Sequence, residues 1–141
     1  MPKINLVIDS SVIVKWLNSQ DELYLRQADQ LLSHCQGGKV ELNAPELAKY
    51  EVGNALLHKG LSLPQLKASL ITLYSLPINF ISSNAGQAQT TAVLAYEGQI
   101  TYYDAAFVDL AQYLSATLIT DNPKHQDKFS KIKIIPLKNY K

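Results

Sequence analysis

Apolar positions along this chain fall into two patterns: short unbroken runs, and stripes spaced three and four apart. Ile4 to Ile8 (INLVI) is a β-branched run without helical period, stopped by Asp9-Ser10-Ser11, residue types that make turns and cap helices. A strand is predicted there, followed by a helix from about Ser11 through Leu17. Asp21 to about Cys35 sets Leu23, Leu25, Ala28, Leu31 and Leu32 at helical spacing, and Gly37-Gly38 ends it before a short strand at Val40 to Asn43. Pro45 suits a first helical position, and Leu47, Ala48, Val52, Ala55 and Leu56 then form an apolar stripe to about Lys59. Gly60 closes that helix.

The second half repeats the theme. Leu63 to about Tyr74 reads as a helix, Ile78 to Ile81 as a strand, 84–97 as a helix and Thr101 to Ser115 as another with a capping-type start. Thr117 to Thr120 (TLIT) reads as a buried strand, Pro123 to Phe129 as a helical turn or short helix, and Lys133 to Pro136 as the last strand. Strands that alternate with helices, mostly in pairs, imply an α/β fold: a mostly parallel central sheet covered on both faces, a three-layer α/β/α sandwich. With 141 residues and no linker or internal repeat, the chain is read as one domain over 1–141. In such a sheet, ligands collect beyond the carboxyl ends of the strands.

Four places put an acid near that edge. Asp9 follows the first strand and Asp121 the TLIT strand, so their carboxylates meet if these strands are neighbours. The ordinary alternative is that Asp9 caps the next helix, and Asp121 or Asn122 the one after it. Glu51 shares a helix face with Leu47, Ala48, Val52, Ala55 and Leu56, where an unpaired carboxylate would cost several kcal/mol. It needs a cation or a place at the stripe's margin. Arg26 is the only arginine and the lysines mostly occupy polar positions, which favours a metal ion. Asp104 lies three residues after Thr101, where a helix N-terminus welcomes an anion without any function. Asp109, about 140° further round the same helix, is placed on the surface. As a set, oxygen-only acids suit Mg²⁺ or Mn²⁺, which pair with substrate phosphates and lower the pKa of a bound water. Hydrolysis of a phosphodiester is the natural reaction, with Ser10 and Thr120 as flanking hydroxyls.

Composition narrows the field further. Apolar residues make up 47% and charged residues 18%, an ordinary globular balance. The net charge of +1 hides an asymmetry: residues 1–122 carry seven basic and eleven acidic groups, whereas 123–141 carry six lysines and Asp127. A basic tail of this kind is more often a solvated surface than a phosphate track. Cys35 is the sole cysteine and cannot form an internal disulfide, and with His34, His58 and His125 it offers no zinc-ligand spacing. No secretory leader, membrane-length apolar run or common nucleotide loop is present, so a cytoplasmic protein is expected.

Taken in order, IDSSVIVKWL with Asp9, APELAKYEVGNALL with Glu51, GQITYYDAAFVDLA with Asp104 and LITDNPKH with Thr120, Asp121 and Asn122 closely resemble the PIN domain, especially VapC-like toxins of toxin–antitoxin pairs. The resemblance spans nearly the whole chain. It implies a Mg²⁺- or Mn²⁺-dependent endoribonuclease leaving a 5′ phosphate and a 3′ hydroxyl, inhibited by a cognate antitoxin and acting as a homodimer. Asp9 and Asp104 would bind the metal, Glu51 would hold a metal or the attacking water, and Ser10 would be the hydroxyl beside the first acid. The last motif departs from the family's usual Thr-x-Asp: Asn122 stands at the acid position and Asp121 one residue early. Either Asn122 supplies a neutral oxygen, the reading preferred here, or Asp121 turns in as a substitute.

Two rival classes compete with this reading. Acids after parallel strands also serve phosphatases and phosphoacceptor domains, but Asp9-Ser10-Ser11 lacks a second Asp two residues on. The other rival is a non-catalytic module binding RNA or protein, in which the acids only cap helices.

Overall fold

The computed structural model describes residues 2–123, 129 and 131–141. Among these residues five strands form one parallel sheet in the order β3-β2-β1-β4-β5: β1 Ile4–Ile8, β2 Val40–Pro45, β3 Ile78–Ile81, β4 Thr117–Thr120 and β5 Ile134–Pro136. Among the described residues six α-helices join β1 to β4: α1 Ser10–Leu17, α2 Leu25–Gln36, α3 Ala48–Leu57, α4 Leu63–Ser75, α5 Ala85–Gly98 and α6 Tyr102–Leu114. The predicted three-layer sandwich is the observed one, with the sheet parallel throughout.

Connectivity follows from handedness. The chain steps from β1 to β2 to β3 in one direction and then returns across the sheet to β4. Right-handed crossovers therefore put α1 to α4 on one face and α5 with α6 on the other. The direction reverses between β1 and β4, which makes the gap beyond their carboxyl ends the topological switch point. Ile8 pairs with Ile119, and the Asp9 amide donates to the Ile119 carbonyl at 3.0 Å, so the strands bearing Asp9 and Thr120 are indeed adjacent.

The central strands are apolar because both faces are covered: Val7, Ile8, Leu42, Leu118 and Ile119 are fully buried, with Val12, Ile13, Leu56 and Phe107 packed from the helices. At about 25 cal/mol per Å² of apolar surface, each such side chain contributes roughly 1.5–3 kcal/mol. Trp16 pins α1 to α2 by donating from Nε1 to the Ala28 carbonyl at 2.8 Å.

Two element boundaries differ from expectation. The second helix begins at Leu25, because Asp21 and Tyr24 both take φ of 59° and carry Glu22 in a loop drawn towards Lys15 and Lys59. Pro45 ends β2 instead of starting a helix. By then β2 has passed its pairing with β1 and pairs only with β3, so the missing N–H breaks no ladder on the β1 side. The helical turn expected over Pro123 to Phe129 lies outside the described residues except at its ends, as does part of the basic tail.

Candidate active site

The switch point gathers side chains from α1, α3, α6 and β4 and from the turns that follow β1 and β4. Asp9 stands at the N-cap of α1, yet its side chain makes no capping bond. Its Oδ2 instead accepts hydrogen bonds from Thr120 Oγ1 at 2.8 Å, across 111 residues of sequence, and from Ser11 Oγ at 2.9 Å. Capping is therefore not what this carboxylate does. Burial pushes its pKa up, the hydroxyl bonds and a backbone bond from Ser10 oppose that, and the Asp104 charge adds to the rise.

Glu51 lies in the first turn of α3 and is half-buried. Its Oε1 accepts from Ser10 Oγ at 2.8 Å, and among the described residues no Lys or Arg pairs with it. Burial raises its pKa, the Ser10 bond lowers it, and Asp9 and Asp104 raise it further. Asp104 arrives from α6. Thr101 caps that helix by accepting from the Asp104 amide at 3.0 Å, so the capping function belongs to the threonine and to the backbone of Asp104, not to its carboxylate. Asp9, Glu51 and Asp104 thus come within electrostatic reach of one another at one sheet edge.

The fourth motif divides. The Asp121 carboxylate turns to Lys15, with Nζ to Oδ2 at 3.1 Å. Asn122 is exposed, and its amide donates to Thr120 Oγ1 at 3.1 Å.

Three features escaped the sequence reading. Lys15 does not sit at a polar position: its side chain is 1% exposed and pairs with Glu22 at 2.9 Å as well as with Asp121. The available sign was a single charge inside the otherwise apolar VIVKWL. Ser11 joins Asp9 to the Asp121 amide, which donates to Ser11 Oγ at 3.3 Å. Asp109, expected on the surface, is buried and accepts from Thr91 Oγ1 at 3.2 Å, because α5 packs over that side of α6. Asp109 borders a cavity of about 110 Å³ with Tyr102, Ile81 and Glu46, and none of Asp9, Glu51 and Asp104 lines that cavity.

Among the described residues no three His, Cys, Asp or Glu side chains close into a ready metal cage. The donor set nonetheless fits one kind of ion. Mg²⁺ and similar hard cations keep most of their waters and need only one or two direct carboxylates, and the oxygens of Asp9, Glu51 and Asp104 carry mutually repelling charge that such an ion relieves. Among the described residues no helix is long and apolar enough to cross a membrane.

No protein-family model matches the chain, and no curated protein matches it in sequence. Solved structures do match it in fold. The VapBC2 complex of Rickettsia felis bound to a promoter DNA fragment contains a chain superimposing with a TM-score of 0.71 at 16% identity, over 94% of this chain and 98% of that one. A toxin–antitoxin complex from Klebsiella pneumoniae gives 0.68 at 18% identity, over 94% and 97%. VapC20 of Mycobacterium tuberculosis, described as a sarcin–ricin loop cleaving toxin, gives 0.63 at 12% identity, over 80% and 86%. Over nearly its whole length, then, this chain has the PIN-like fold of VapC-type toxin structures.

Proposed function

We propose that the chain is a divalent-metal-dependent endoribonuclease and the toxin of a toxin–antitoxin pair. The observation that carries this reading is the convergence of the Asp9, Glu51 and Asp104 carboxylates at the switch point between β1 and β4 with no basic side chain paired to any of them among the described residues. Helix capping and structural ion pairing leave that concentration of charge unexplained. Likeness in fold to the Rickettsia, Klebsiella and Mycobacterium structures supports the same reading, and the complexes among them support an antitoxin partner.

In this scheme Asp9 and Asp104 would hold Mg²⁺ or Mn²⁺, which would supply charge neutralisation at the scissile phosphate and acidify a water. Glu51 would orient the attacking water and could accept its proton. Ser10 fixes the Glu51 carboxylate by donating to Oε1, leaving the other oxygen for water. Thr120 and Ser11 fix the Asp9 carboxylate by donating to Oδ2. Asn122 contributes a neutral oxygen at the rim. The substrate is RNA, the inhibitor a cognate antitoxin, the working form a homodimer, and the compartment the cytoplasm.

The reading is tested by incubating the purified chain with RNA in Mg²⁺, Mn²⁺ or EDTA. Cleavage with either ion, abolished by EDTA and by Asp9→Asn, is expected. A folded wild-type chain that neither cleaves RNA nor binds Mn²⁺ would overturn it in favour of a non-catalytic module.

A further inference from the structure

We propose that Lys15 is a positioning residue for the acid site, acting through Asp121 and Ser11; this rests on the reading that Asp9 helps to hold a divalent ion. Lys15 lies at the centre of an alternating line of charges. Lys59 Nζ meets Glu22 Oε2 at 2.8 Å, Glu22 Oε1 meets Lys15 Nζ at 2.9 Å, and Lys15 Nζ meets Asp121 Oδ2 at 3.1 Å. The lysine is sealed from solvent, whereas Glu22 and Asp121 keep partial access, so the buried cation is the fixed point and the acids are drawn to it.

Asp121 is the first residue after β4, and anchoring its carboxylate sets the position of its own amide. That amide donates to Ser11 Oγ at 3.3 Å, and Ser11 donates in turn to Asp9 Oδ2 at 2.9 Å. Thr120, the residue before Asp121, donates to the same oxygen at 2.8 Å. One clamp therefore holds the turn that carries Thr120 and bonds Ser11 of α1, the two hydroxyls that meet at a single oxygen of Asp9. It also neutralises and turns aside a fourth carboxylate that would otherwise add to the repulsion among Asp9, Glu51 and Asp104. Asp121 is then a counter-ion for Lys15 and not a ligand, which accounts for an acid standing one residue early in the last motif.

Hydrogen-bonded supports of metal ligands are commonly worth roughly 10–100-fold in affinity. Calorimetric titration of Mn²⁺ into the metal-free full chain reads the effect without any assay of activity. Lys15→Met and Ser11→Ala are each expected to weaken binding about tenfold. Because they interrupt the same relay, the double variant should also be about tenfold weaker, where independent effects would multiply to about a hundredfold. Lys15→Arg should recover most of the loss. If Lys15→Met does not fold, Asp121→Ala takes its place in the same cycle, with the same non-multiplying result expected. Multiplying losses, or folded single variants with wild-type affinity, overturn the inference alone. A wild-type chain that binds no Mn²⁺ overturns the metal reading and the inference together.

Discussion

The Ser10 hydroxyl donates to Glu51 Oε1 at 2.8 Å, tying the first turn of α1 to the first turn of α3 across 41 positions of sequence. That bond is the sole side-chain partner of Glu51 among the described residues, and it is a neutral donor. Substituting Gln keeps an acceptor for Ser10 and removes a charge that Asp9 and Asp104 oppose. Glu51→Gln is therefore expected to lower RNA cleavage while leaving the melting temperature in EDTA unchanged or raised. Thermal melts check this; a clear loss of stability would mean that Glu51 is a structural ion-pair partner.

Asp9→Asn should lower cleavage by on the order of 100-fold or more, because several kcal/mol of metal interaction are at stake and each 1.4 kcal/mol is a factor of ten. The fold should survive, since Asn still accepts from Ser11 and Thr120. Rates measured on variant protein with a wild-type circular dichroism spectrum settle the point. Activity near wild type would remove Asp9 from the site.

Mn²⁺ at about 100 times its dissociation constant stabilises by about 2.7 kcal/mol, which for a domain of this size raises the melting temperature by roughly 5–10 °C. Differential scanning fluorimetry should show that rise in wild type and none in the Asp9→Asn, Asp104→Asn double variant. Equal shifts in both would trace the effect to general screening.

Stability should also carry a pH signature. Asp9 and Glu51 both bind a proton more tightly folded than unfolded, because burial and neighbouring acids raise their pKa values above the ordinary 3.8 and 4.5. Between the ordinary and raised values the folded chain binds more protons, so their contribution favours folding at the acid end and is lost as pH climbs through the raised values. In EDTA, wild type should lose more stability than the Asp9→Asn, Glu51→Gln variant as pH rises from the ordinary carboxylate range towards neutrality. Parallel curves would contradict the coupling of these carboxyls.

Asp109 offers an independent case. Thr91 has one hydroxyl proton but faces two acceptors, the Gln87 carbonyl at 2.9 Å and Asp109 Oδ2 at 3.2 Å. Burial raises the pKa of Asp109, and the bond it accepts from Thr91 opposes that rise. Asp109→Asn should hold or raise the melting temperature at neutral pH and leave RNA cleavage unchanged, since Asp109 stands apart from the acid cluster. A marked loss of either would assign its charge a role that the fold does not explain.

Much of this was legible beforehand because parallel strands advertise themselves: INLVI and TLIT are apolar on both faces, and the acids stand directly after them. Glu51 was picked out by helix periodicity and Asp104 by its position three residues after Thr101. What the sequence hid was pairing at a distance. Lys15 looks like a flaw in an apolar helix until Glu22 and Asp121, from two separate loops, arrive beside it. Asp109 was misplaced because angular position on α6 says which way a side chain points, but not that α5 covers that direction. Pro45 misled for a related reason: a preference for helix starts gave way to a strand that had already outrun one neighbour.

The bond between Thr120 and Asp9 also sets a timetable. Ribosomes deliver Asp9 first, and the threonine that fixes its carboxylate comes 111 residues later, on the strand that closes the exposed side of β1. A nascent chain ending before residue 117 has β1 with one edge unpaired and Asp9 without its Thr120 partner. Closing the sheet and setting the acid site are the same event. The chemistry assigned to this edge is thereby withheld until β4 has been made.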